Sequence, residues 1–162
     1  MGSDYKVLVL PANAQTRSAL SKAAQLSEHR GWLEVIGAEW KSDAQEFSKR
    51  FLTSAVWWSM QTPNDHVWLF CFHEGLEVRE LRFSSELAGW STNRGEGMPF
   101  EDTAALATWL RKWRSKKPPL TSRDGAALLN AFISKGPAST NPRPKPKPKP
   151  PQGKRARARA VK

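Results

Sequence analysis

The sequence predicts an α+β domain, a small and mostly antiparallel sheet with helices, followed by a disordered Lys/Pro/Arg-rich tail. Three observations carry that reading. The run HVWLFCFHEGLEVRELRFS, residues 66–84, is two β-rich segments flanking Glu74-Gly75, the pattern of a tight hairpin and so of antiparallel pairing. In EDTAALATWLRKWRSKK, Leu106, Trp109, Leu110 and Trp113 recur at i, i+3, i+4 and i+7, the stripe of a helix with one buried face. At Pro137 the composition breaks: seven of the twelve prolines lie from there on, with no aromatic residue and Val161 as the one large aliphatic. Such a segment buries too little apolar surface to offset the entropy of ordering it. The domain is therefore expected over 1–136 and the tail over 137–162.

In chain order, YKVLVLP reads as a short buried strand stopped by Pro11. TRSALSKAAQLSEHRG sets Leu20, Ala23, Ala24 and Ser27 on one helical face, with Gly31 as the expected terminator. WLEVIGAEW is β-rich and interrupted by Gly37. Ser42 and Gln45 have capping-box spacing ahead of DAQEFSKRFLTSAVWWSM, where Phe47, Phe51, Ala55 and Trp58 suggest one long helix. In the hairpin, Trp68, Phe70 and Phe72 share one face and Leu69 and Cys71 the other, which puts that strand inside the sheet. The second strand turns Leu81 and Phe83 one way and Glu80 and Arg82 the other. Around Trp90 the chain could supply a further short strand. Asp102 or Thr103 caps the next helix, which Pro118-Pro119 stop. Thr121 and Asp124 form a second capping-box pair before a helix with Leu128, Leu129, Phe132 and Ile133 on its buried side, ended by Gly136. The expected order is β-α-β-α-β-β-(β)-α-α, the strand around Trp90 being optional, with core positions at Trp58, Trp68 and Trp109.

All eight tryptophans and all seven phenylalanines lie in the first 136 residues, enough for a core. No run of 18 apolar residues exists to span a membrane, and MGSDYKVLVLPA lacks the layout of a signal peptide. The single cysteine, Cys71, excludes an internal disulfide framework and fits a cytoplasmic setting.

Charge is unevenly distributed. The chain carries +11, and nine of its bases with no acid fall in the tail: Arg143, Lys145, Lys147, Lys149, Lys154, Arg155, Arg157, Arg159 and Lys162. Removing those nine leaves +2 on residues 1–136. PRPKPKPKPP favours polyproline II, in which alternate lysines stand about 6 Å apart along the axis and spread around it. An arm of that kind neutralises phosphates and releases counterions without reading base sequence. Nucleic acid is the expected partner, DNA first and RNA by the same chemistry. Acidic membrane lipid fits less well, because no amphipathic anchor adjoins the tail. A second basic cluster, Arg111, Lys112, Arg114, Lys116 and Lys117, ends the third predicted helix. The helix macrodipole accounts for it in part, and nearness in sequence suggests an extension of the same positive surface.

Catalytic and cofactor patterns are wanting. Cys71 and His73 are two apart on a strand and so share a face, but a small core thiol and a strand-end imidazole explain them better than a thiolate–imidazole pair. No Cys-x-x-Cys or His-Glu-x-x-His spacing offers a metal site, NRGEGMPFED is no phosphate-cradling loop, and Glu101-Asp102 fits a helix N-terminus. No enzyme, cofactor or metal is expected.

The tail NPRPKPKPKPPQGKRARARAVK resembles the Lys/Pro/Ala-rich terminal arm of linker histones, and the chain looks like the vegetative-specific histone-like proteins of myxobacteria. The resemblance implies a DNA-associated protein of the nucleoid, and it carries over to the basic residues of the tail alone. The competing expectation is a protein-binding module of the inhibitor or immunity type over 1–136, with an incidental tail.

Overall fold

The computed structural model describes residues 4–23, 25–38, 41–61, 66–84, 86–87, 89–116 and 120–137. The elements are β1 (Asp4–Pro11), α1 (Ala14–Leu20), β2 (Leu26–His29), β3 (Trp32–Ile36), α2 (Lys41–Arg50), β4 (Ser54–Gln61), β5 (His66–His73), β6 (Leu76–Ser84), β7 (Gly89–Arg94), α3 (Thr103–Lys116) and α4 (Ser122–Phe132). The strands form one sheet in the order β2-β3-β1-β4-β5-β6-β7, antiparallel at every junction. The α+β class with an antiparallel sheet is what the sequence predicted. Residues 138–162 lie outside the described residues, and so does the expectation of disorder there.

Helices cover both faces of the sheet. On one side Leu8, Leu10, Leu33, Ala55, Trp57, Phe70 and Phe72 meet Leu20 of α1 and Ala44 of α2. On the other, Val9, Trp58, Met60, Leu69, Leu81 and Phe83 meet Leu106, Trp109 and Trp113 of α3 and Leu128, Leu129 and Phe132 of α4. The central strands β4 and β5 are consequently apolar on both faces. Phe83 is the hub of the second layer, with its ring centroid 5.0 Å from that of Trp109 and 5.6 Å from that of Trp113.

Four expectations about elements are corrected. The helix from Thr16 does not reach Gly31. It stops at Leu20, and residues 26–29 form β2, which turns through Arg30 (φ 50) and Gly31 (φ 82) into β3. Two successive positive φ values make a turn of the kind that joins neighbouring strands, so Gly31 serves a hairpin rather than a helix end. The long helix ending at Met60 is really α2 followed by β4. Val56, Trp57 and Trp58 prefer strand, and with both faces buried they leave no period-2 alternation to see. Ala55 and Trp58 then fall on opposite faces of the sheet. Gln45 does not act in a capping box, because its amide donates to the Gly75 carbonyl at 2.8 Å. Gly136 is not the terminator of α4 either. That helix is capped at Ile133, whose N–H donates to Leu129 O.

The remaining elements follow the pattern. Asp102 caps α3 by accepting from Ala105 N at 2.9 Å. Thr121 and Asp124 form the expected reciprocal capping box of α4. Trp58 and Trp109 are buried, and Trp68 is half-buried.

A buried ion pair fixes the connection from the sheet to α3. Arg79 on β6 donates Nε to Glu101 Oε1 at 2.9 Å and Nη2 to Oε2 at 3.3 Å, while Nη1 reaches Asn93 and the carbonyls of Arg94 and Gly95. Glu101 also accepts from Met98 N at 2.9 Å. The chain passes so close to β6 here that a Cβ on Gly95 (φ +87) would collide with the Val78 carbonyl oxygen.

Candidate nucleic-acid interface

Strand directions place the basic groups. Antiparallel pairing sends β1, β2, β5 and β7 toward one end of the sheet, which holds the Arg30-Gly31 and Glu74-Gly75 turns. β7 finishes there, so α3 starts there and runs away, and α4 returns. The chain after α4 comes to rest on the Arg30-Gly31 turn. Arg30 Nη1 donates to Ser134 O at 3.4 Å, and a Cβ on Gly31 would be 3.2 Å from the Pro137 ring.

Backbone bonds hold this junction on both sides. Lys135 N–H donates to Phe100 O at 3.2 Å, and the buried Trp32 donates its indole N–H to Lys135 O at 3.0 Å. The turn itself is tied down by Ala12 N–H, which donates to Gly31 O at 2.8 Å. Pro137, the first residue of the predicted tail, therefore belongs to a fixed root. His29, Arg30 and Lys135 are all exposed at it.

The basic cluster of α3 lies elsewhere. Arg114 stands beside Gly89 at the start of β7, with Nη2 3.4 Å from where a Cβ would sit. That is the end of the sheet opposite the root. Lys112 Nζ is 3.2 Å from Asp124 Oδ1, and Arg111 is exposed and donates Nη2 to Thr108 Oγ1 at 3.1 Å. Lys116 is the last residue of α3. Lys117 and all nine tail bases lie outside the described residues. The eleven residues of α4 span about 16 Å between this cluster and the root. These helices hold the cluster away from the root, and the expected continuity of the cluster with the tail concerns residues 138–162, outside the described ones.

A mixed aromatic and charged strip escaped the sequence reading. On the α2 side of the sheet, Lys41 Nζ lies 3.9 Å from the Phe70 ring centroid and Arg82 Cζ 5.6 Å from it. Lys41 pairs with Glu77 at 2.8 Å, and the buried Glu80 carboxylate receives Arg82 and, at 3.5 Å, Arg94. The alternation of Glu80 and Arg82 was visible in the sequence. Lys41 was not, because it arrives from a separate helix. With two carboxylates answering three cations and Phe70 buried, the strip offers neither a strong field nor an open ring for a base to stack on.

The residues with catalytic potential are engaged structurally. Burial pushes the Cys71 thiol well above its ordinary value, the nearby Glu101 carboxylate adds to that, and Arg79 opposes it. His73 Nδ1 shares a hydrogen bond of 3.0 Å with Ser54 Oγ, and its Nε2 is 3.8 Å from Glu74. Among the described residues no group of three or more His, Cys, Asp or Glu side chains gathers as a metal site, and no helix is long and apolar enough to cross a membrane. No protein-family model, curated protein or solved structure matches the chain.

Proposed function

We propose that this is a DNA-associated, histone-like protein that binds nucleic acid without sequence preference through its basic tail, in the nucleoid of the cytoplasm. One observation carries the reading: nine bases with no acid from residue 137 on, attached to a domain whose own net charge is only +2. The rooted junction supports it, since a tether fixed at Pro137 keeps the domain within a short distance of whatever the tail holds. RNA would satisfy the same charges. The reading contains no catalytic step and no cofactor.

Nine bases contact at most nine phosphates, so the tail's own contribution to the slope of log K against log salt should be no steeper than about −8, and partial contact gives roughly −4 to −6. The test compares the full chain with a chain ending at Pro137, using mixed-sequence duplex DNA across a salt series. The truncated protein should keep its thermal midpoint, because the cores close within residues 7–133, and should lose most of its affinity. Equal affinity and equal slope for the two chains would overturn the proposal.

A second reading, a protein-binding module, rests on a different observation. Leu52 and Leu76 are 66% and 70% exposed, one on the turn after α2 and the other opening β6, on segments joined by the Glu74 N–H to Thr53 O bond. A truncated chain without DNA affinity that captures a protein partner through Leu52 and Leu76 would favour it.

A further inference from the structure

The Arg30-Gly31 turn carries an unusual choice of residue. Both positions have positive φ, 50 and 82, and turns of that type take Asn, Asp or Gly first because a longer side chain is disfavoured there. An arginine at that point is costly to the turn. It is exposed, and neither it nor Lys135 pairs with a carboxylate among the described residues. The nearest acid in sequence, Glu28, is taken by Arg17 at 2.7 Å.

Resting on the nucleic-acid reading, we propose that Arg30 and Lys135 form a fixed phosphate-binding pair at the root of the tail. They bind the backbone of the same duplex that the tail engages. Their backbones come from opposite ends of the domain's sequence and are brought together by the Arg30 to Ser134 and Trp32 to Lys135 bonds. A basic side chain on an unstructured segment must be ordered when it meets a phosphate. These two are held by folded backbone beforehand, so the same contact loses less conformational freedom. Arg30 donates a single N–H to Ser134 O, which leaves the rest of its guanidinium fork for a phosphate. The pair sits beside Pro137, where the chain leaves the domain toward the tail bases.

The test uses the full chain and a mixed-sequence duplex of about 20 base pairs over a salt series. The double variant Arg30→Asn, Lys135→Gln removes both charges while giving the turn a residue suited to positive φ. Its slope should be shallower than that of the wild type by about 1.8, the value for two phosphates, with affinity falling several-fold at 0.1 M salt. A second double variant, Lys22→Gln with Arg123→Gln, removes the same charge from exposed positions away from the root and should leave the slope within about 0.5 of wild type. Near-ultraviolet circular dichroism checks that both variants are folded. If the Arg30/Lys135 variant keeps the wild-type slope, or the two variants flatten it equally, the fixed pair is overturned while the tail reading stands. If the chain ending at Pro137 binds as tightly as the full chain, the tail reading itself fails.

Discussion

Two ion pairs in this protein look alike as distances and differ greatly in consequence. Arg17 and Glu28 approach to 2.7 Å on the surface, where hydrogen bonding lowers the Glu28 pKa and raises that of Arg17. Water and salt screen such a pair, and Glu28→Gln should move the urea midpoint by no more than experimental error. Arg79 and Glu101 approach to 2.9 Å with both side chains buried. Replacing Glu101 with Gln leaves the buried guanidinium without its countercharge and turns one of the two accepting oxygens into an NH2 donor facing Arg79 or Met98 N. The expected loss is about 3–5 kcal/mol. The check is urea denaturation of both variants at one pH, and similar midpoints would show that water reaches Arg79.

At the scale of elements, the α3–α4 pair is joined through one carboxylate. Asp124 accepts from Thr121 N at 3.1 Å and from the Thr121 hydroxyl at 2.6 Å, and faces Lys112 at 3.2 Å, while its carbonyl accepts the Trp109 indole N–H at 2.8 Å. Burial works to raise its pKa, but the hydrogen bonds from the Thr121 side chain and backbone and the Lys112 charge outweigh it, so the folded pKa lies below the ordinary value. A carboxylate with a depressed folded pKa contributes stability above its unfolded pKa, near 4, and loses it as pH falls through the folded value. Asp124→Asn should therefore be less stable than wild type at pH 7, by about 1 kcal/mol for the damaged cap. The gap should narrow as pH drops below about 4. Thermal midpoints of both proteins from pH 7 to 2 test this, and a gap that stays constant or widens in acid would contradict it.

For the whole molecule, legibility followed burial. Where one face of an element is buried, the period shows, as in β6, α3 and α4, while β5, apolar on both faces, was readable through the Glu74-Gly75 turn that pairs it with β6. β4 is buried on both faces, so its alternation vanishes and its apolar residues imitate a helical stripe. β2 has every residue exposed, and no pattern marks it at all. The tail announced itself by composition, which needs no fold. Its root did not, because Arg30 and Ser134 stand 104 residues apart and only the closed sheet brings them together. Nearness in sequence is not nearness in space for Arg111, Lys112 and Arg114 and the root, because α4 runs between them.

The first strand of the chain occupies the third place in the sheet, and this sets an order of events in refolding. β4 to β7 follow one another as neighbours, joined by short connections, so they close with little loop entropy. β1 must wait for β4, with Val7 opposite Trp58, about fifty residues later in the chain. The transition state should accordingly hold the four-strand meander while β1 is still undocked. Leu81→Ala is expected to slow refolding in a chevron experiment, and Val9→Ala to act mainly by speeding unfolding. A Val9→Ala variant that refolds slowly and unfolds at the wild-type rate would mean that the chain closes first around its own beginning.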